Sequence, residues 1–221
     1  MSEELNRRKL KSRHSSLAQN TAKWLSSKNI SPNQISVMSV IFSLAGAVCL
    51  FYYSESSGHL VWILPTLTAL FIQCRLLCNL FDGMVAVEGG KGTPAGELFN
   101  DIPDRIADSL LFIAAGYAAA VYNEHAVILG WGAALLAIFT AYIRTLAAAT
   151  GAPVDFCGPM AKQHRMFTLT LSCLLTGLET VLKLEAGIIL FYALAVICFG
   201  SLITSVRRAG RAYNFLEKKN V

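Results

Sequence analysis

The stretch Asn79-Leu-Phe-Asp82-Gly83-Met-Val-Ala86, then Gly96-Glu-Leu-Phe-Asn100-Asp101-Ile-Pro-Asp104-Arg105-Ile-Ala-Asp108, decides how the rest of the chain is read. Residues three and four apart share one face of a helix. Asn79 and Asp82 therefore align near the end of one helix, and Asn100, Asp104 and Asp108 form a stripe on the next. Only a glycine-rich connection from Glu88 to Ala95 separates them. So short a link suits an antiparallel pair with facing polar stripes.

These polar groups stand in apolar surroundings. Of 221 residues, 54% are hydrophobic and only 15% are charged, against roughly 25% in ordinary soluble domains. That excludes a disordered or fibrous chain and points to an all-α, polytopic integral membrane protein. Apolar runs of about 20 residues fall at Gln34–Tyr53, Leu60–Phe81, Glu97–Tyr122, Ala126–Thr150, Met166–Leu182 and Ala186–Val206. They are too long and continuous for barrel strands, and the backbone must be satisfied within lipid. Six transmembrane helices are expected, in a single domain over 1–221: a segment 1–33, a bundle 34–206 and a tail 207–221.

Eighteen of the nineteen Lys and Arg fall before the first span, near the 2–3 and 4–5 connections, or after the last span; Lys183 is the exception. By the positive-inside rule both termini and the polar cluster are cytoplasmic. Residues 5–28 carry early basic residues, and Leu17, Ala18, Thr21, Trp24 and Leu25 recur at helical spacing. This suits an interfacial amphipathic helix on anionic lipid, although a basic topogenic tail would have the same composition. Ser31-Pro32 then marks a boundary, with Ser31 as a cap for the first membrane helix. No cleavable signal sequence is expected. The six cysteines lack metal-site spacing and read as packing residues. His164 reads as a surface histidine.

Charges within spans are expensive and default to function. Clusters of carboxylate and amide oxygens suit Mg²⁺ or Mn²⁺ rather than zinc, and such ions bind substrate phosphates. A carboxylate beside the ion suits a general base toward an alcohol. Together these fit phosphoryl-group transfer at a membrane surface. The alternative, that each acid merely pairs with Arg75, Arg105 or a neighbour, is credible for single residues and weaker for the whole spaced array.

The array resembles the signature of the CDP-alcohol phosphatidyltransferase family, D-x2-D-G-x2-A-R-x8-G-x3-D-x3-D. Without gaps it runs Asn79, Asp82, Gly83, Ala86, Val87, Gly96, Asn100, Asp104. The spacing matches throughout, while the first and third aspartates are asparagine and the arginine is valine. Ser31-Pro-Asn33-Gln-Ile-Ser36 is similar to the family's lead-in to its first membrane helix, and Tyr142-Ile-Arg144 to its Y-[IV]-R. The resemblance implies an enzyme of phospholipid biosynthesis that displaces CMP from a CDP-linked lipid with an alcohol. It assigns metal binding to Asn79, Asp82, Asn100 and Asp104, with Asp108 the nearest substitute for a missing acid and Asp104 the general base. Asn33, Gly83, Ala86 and Gly96 would face the donor nucleotide. Arg144, Lys162 and Arg165 would form an acceptor pocket, a sugar or polyol phosphate being the acceptor such a pocket suits. The implied cofactor is Mg²⁺ or Mn²⁺, as one or two ions, since two aspartates carry −2 where four carry −4. The implied partners are the two substrates and membrane lipid in a bacterial inner membrane, with no nucleic acid, and a homodimer is common in the family.

Two other classes compete. A binding or transport protein would use the same cluster for nucleotide-lipid or ions, but transport sites sit near the bilayer midplane and this cluster lies toward the helix ends. A structural scaffold has no need of the spaced array.

Overall fold

The computed structural model describes residues 15–87, 89–179 and 181–219, and within these the chain is helical with no strand. A short helix, α1 (Ser16–Ser27), precedes α2 (Pro32–Tyr53), α3 (Leu60–Val87), α4 (Gly96–Ala119), α5 (Ala126–Ala149), α6 (Lys162–Thr176) and α7 (Ile188–Lys219). The earlier part of the expected amphipathic segment, residues 5–14, and Glu88 lie outside the described residues.

Local chemistry accounts for the entry into the bundle. The Ser31 hydroxyl accepts from the Gln34 backbone N–H (3.2 Å), and the Gln34 side chain accepts from the Ser31 N–H (2.9 Å). This reciprocal box and Pro32 at the first helical position start α2. Helix α1 packs Ala18 and Ala22 against Met84 and Val85 of α3, and Lys91 donates to the Ser26 carbonyl. Leu17 and Trp24 stay exposed on its other side, as an interfacial helix requires.

Helix α2 lies against α3 and α4, α4 against α5, and α5 against α7, while α6 fills the space between α3 and α7. The core joins Leu50, Ile72, Leu111, Phe112, Met166, Leu169, Leu190 and Leu194, all fully buried. At the α4–α5 crossing Gly116 and Gly130 bring two backbones together, so that a Cβ on Gly116 would lie 2.9 Å from the Gly130 Cα. On the outside of α2, Val37, Ile41, Leu44, Val48 and Phe51 recur every three or four residues and are exposed. That stripe has the character of a lipid-facing surface.

Among the described residues four helices are long and apolar enough to cross a membrane, α2, α3, α5 and α7, not the six expected. The third expected span is α4, which carries Glu97, Asp101, Asp104, Arg105 and Asp108 in its first half and buries Asp104 and Asp108 against other helices. The fifth shortens to α6, whose 15 residues reach about 22 Å, less than a hydrocarbon core of about 30 Å; turns carry the chain onward to α7. Both runs look continuous in hydropathy because apolar residues flank the charges, yet their apolar faces meet protein as well as lipid. The four apolar helices make the chain an integral membrane protein.

At the end opposite α1, Glu179 ties three elements together. It is buried, accepts from the Tyr53 hydroxyl (3.1 Å), and takes the backbone N–H groups of Gly187 (2.8 Å) and Ile189 (2.9 Å). Those are N–H groups that the start of α7 cannot satisfy within the helix.

Candidate active site

The functional residues gather at the end of the bundle that carries α1, the α3–α4 and α5–α6 connections and the last turns of α7. Asp82 reaches this end on α3 and Asp104 on α4, and both are buried. The Ser36 hydroxyl on α2 donates to Asp82 Oδ2 at 2.7 Å. The Gly83 backbone N–H lies close enough to act on the same carboxylate. Asp82 Oδ1 is buried and makes no hydrogen bond with the described residues.

Asp104 is crowded by donors. Asn79 Nδ2 donates to its Oδ1 at 2.8 Å and Arg75 Nη2 at 3.2 Å, while Lys162 Nζ from α6 donates to Oδ2. Arg105 Nη2 stands 3.8 Å from the same Oδ2. One turn deeper, Asp108 is fully buried between Arg75 and Arg165, the latter at 3.4 Å. Arg165 also donates to Thr140 Oγ1 (3.1 Å) and the Met160 carbonyl (3.0 Å). Arg75 and Arg165 have no meaningful exposure, so their charges are spent on these aspartates.

Beside this cluster lies a second, basic cavity of about 320 Å³ lined by Arg144, Asp155, Arg208, Arg211, Pro153 and Phe215, among others. Arg144 donates to both carboxylate oxygens of Asp101 at 3.0 Å and lies over the Phe156 ring. Arg105 links that Asp101 to Asp104, 3.8 Å from each, so the two regions adjoin. Arg208 is held by the Cys157 and Thr140 carbonyls, both at 2.9 Å. In the connecting loop, burial alone would raise the Asp155 carboxyl. Donation from Cys157 and Arg211 outweighs it and holds the group below its ordinary value. Burial, then the neighbouring Asp155, pushes the Cys157 thiol up.

Asn79, Asp82, Asp104 and Lys162 thus meet at one place. Asn100 is exposed at the start of α4, and Asp108 is enclosed by arginines. Gly83, Ala86 and Gly96 are half-buried, and a Cβ on Gly96 would meet nothing closer than Thr93 at 3.8 Å. Asn33 lines an open, mostly apolar groove of about 580 Å³ with Ile30, Val37, Met38 and Phe99. Arg144 reaches the basic cavity, whereas Arg165 faces inward. His164 is exposed.

Sequence reasoning assigned no role to Ser36, Thr140, Arg208 or Arg211. Ser36 lies in the quoted lead-in motif and one helical turn past Asn33, a signal that was available. Arg208 and Arg211 read only as basic residues after the last span, because nothing in one dimension says that α7 folds back beside the α5–α6 loop.

The described residues do not bring four acids together to hold a pair of divalent cations. Asn79 turns its NH₂ toward Asp104, Asn100 points away from enclosure, and among the described residues no three His, Cys, Asp or Glu side chains converge to hold a metal. Asp82, buried with a free oxygen, remains a ligand of the kind Mg²⁺ accepts, since that ion commonly takes one or two carboxylates with the balance from water and substrate phosphate.

Comparisons with known proteins agree with this architecture. Residues 29–204 match the family described as CDP-alcohol phosphatidyltransferase. An uncharacterised protein of Aquifex aeolicus (strain VF5) is 28% identical over 213 residues, covering 96% of this chain and 97% of its own. The fold is similar to that of Mycobacterium tuberculosis phosphatidylinositol phosphate synthase (PgsA1) crystallised with CDP-DAG: TM-score 0.74, 21% identity, covering 90% of this chain and 94% of that one. The same synthase with manganese and citrate gives a TM-score of 0.72 at 21% identity, covering 89% and 88%.

Proposed function

The chain belongs to the CDP-alcohol phosphatidyltransferase family, and from that premise we propose that it transfers a phosphatidyl group from CDP-diacylglycerol to a phosphate-bearing small alcohol. The observation that carries the acceptor class is the basic cavity: Arg144, Arg208 and Arg211 converge beside Asp104. Arginine forks suit phosphate oxygens.

In this reading the acceptor's hydroxyl oxygen forms a new bond to the phosphatidyl phosphorus, the bond from that phosphorus to CMP breaks, and CMP leaves. Asp104 takes the hydroxyl proton. Arg144 and Arg208 hold the acceptor's phosphate and so aim its hydroxyl. A divalent ion, Mg²⁺ or Mn²⁺, held on Asp82 supplies positive charge to the donor's diphosphate. The half-buried Gly83, Ala86 and Gly96 leave space for the nucleotide, and Asn33 with its apolar groove receives the lipid portion. The basic residues at this end support a cytoplasmic orientation for it and for both termini.

The test is CMP release by purified protein in detergent, with CDP-diacylglycerol and a panel of polyols and polyol phosphates. Release dependent on a phosphorylated acceptor and abolished by Asp104→Ala and by Asp82→Ala is expected. Release that survives both substitutions rejects the reading. Equal release with unphosphorylated polyols rejects the acceptor class alone. Flux of ions or lipid across proteoliposomes without CMP formation would favour transport.

A further inference from the structure

The carboxylates at the site differ in how fully they are already balanced. Asp108 lies between Arg75 and Arg165, both essentially unexposed. Asp104 has Asn79 and Arg75 on one oxygen and Lys162 on the other. Among the described residues Asp82 has no cation within salt-bridge distance, only the Ser36 hydroxyl and the Gly83 N–H, and its Oδ1 makes no hydrogen bond with them. With Asp101, which Arg105 and Arg144 share, four acids face five cations, Arg75, Arg105, Arg144, Lys162 and Arg165. Two divalent ions would add four positive charges to a pocket that is already positive. One ion, on the single unbalanced carboxylate, is what the charges accommodate.

Lys162 differs from the arginines around it. Arg75 and Arg165 are sealed, whereas the Lys162 side chain keeps 26% of its exposure. It sits at the first turn of α6. An ammonium on a flexible stem is a compact point charge suited to phosphate. We propose that Lys162 is the second cationic centre of this site: Asp104 positions its Nζ against the donor's diphosphate, and the chain binds one divalent ion rather than two. The same charge accounts for asparagine at 79, whose NH₂ shares Asp104 with Lys162: with a fixed monovalent cation there, an acid at 79 would have no second ion to balance. This inference rests on the donor being a CDP-linked lipid.

The test is Mn²⁺ titration of the full-length protein in detergent, followed by electron paramagnetic resonance, with CDP as the diphosphate probe. One Mn²⁺ per wild-type chain is expected; two, or none, overturns the proposal. Lys162→Met should weaken CDP binding at least tenfold in calorimetry while Mn²⁺ still binds without nucleotide, and Lys162→Arg should recover most of the CDP affinity. CDP affinity within twofold of wild type in Lys162→Met overturns it. The wild-type stoichiometry stands even if a variant fails to fold. CMP release is read on the same preparation. Release with two bound ions sinks only this inference, and one ion with lysine-dependent CDP binding but no release sinks only the transferase reading.

Discussion

Replacing Asp108 with asparagine tests the buried charge network most directly. Asp108 is fully enclosed, with Arg75 on one oxygen and Arg165 at 3.4 Å from the other. Nε and Nη1 of Arg75 and Nε of Arg165 are buried without protein partners among the described residues, so the two guanidinium groups depend on the aspartates. Asparagine keeps the shape and removes the charge. Arg75 then shares only Asp104, which already serves Lys162 and Asn79, and Arg165 keeps only Thr140 and a carbonyl. Removing one partner of a buried pair costs about 3–5 kcal/mol, because it leaves an unbalanced charge. At on the order of 2–4 °C per kcal/mol for a chain of this size, the melting temperature in detergent should fall by roughly 6–20 °C. The control is Asp101→Asn: that carboxylate pairs with Arg144 and Arg105 but is 40% exposed, and such pairs are worth about 1 kcal/mol or less. The reasoning is refuted if Asp108→Asn melts within about 2 °C of wild type, or no lower than Asp101→Asn.

Three further outcomes are expected. Glu179→Ala should cost about 3 kcal/mol or more, since a charged acceptor for three donors is lost and two buried N–H groups at α7 are left bare; Tyr53→Phe, losing one donor, should cost about 1–3 kcal/mol, and equal melting of the two variants would contradict this. Gly130→Ala drives a Cβ to 2.8 Å from the Gly116 Cα and the Phe112 carbonyl, so about 1–3 kcal/mol of overpacking should appear in the same melts, whereas Gly210→Ala, with nothing within 4 Å, should not destabilise. Asp155, its carboxyl held below the ordinary value by Cys157 and Arg211 against the effect of burial, stabilises its loop above the unfolded carboxylate pKa and loses that contribution as pH falls through the folded one. Acidification should therefore lower the protection factor of the Cys157 amide, the observed rate being divided by the intrinsic rate at each pH, in wild type but not in Asp155→Asn. A wild-type protection factor that does not change with pH would contradict the anchoring.

The apolar runs, the Ser31 cap, and the polar stripes on consecutive helices were legible in one dimension, because each depends on neighbours within a few residues. So was the positive end of the bundle. The spacing from Asn79 to Asp104 brought those side chains within hydrogen-bond reach, although α3 and α4 touch little directly and α2 packs against both. The cavity at Arg144 was partly legible through that arginine, while its companions Arg208 and Arg211 arrive from a helix more than fifty residues later.

The state of each charge belongs to the tertiary structure. Whether an acid in an apolar run is a metal ligand or half of an ion pair depends on what stands within about 4 Å of it, and for Asp104 that neighbour is Lys162, from the far side of α5 in sequence. The same holds for the membrane count. Hydropathy sums a segment's own side chains, but a charge is tolerated when another helix balances it, so α4 retains its acids inside the bundle. Local pattern therefore specifies which helices form and which faces are polar, while long-range packing decides which charges are balanced and which carboxylate, Asp82, is left without a cation partner among the described residues.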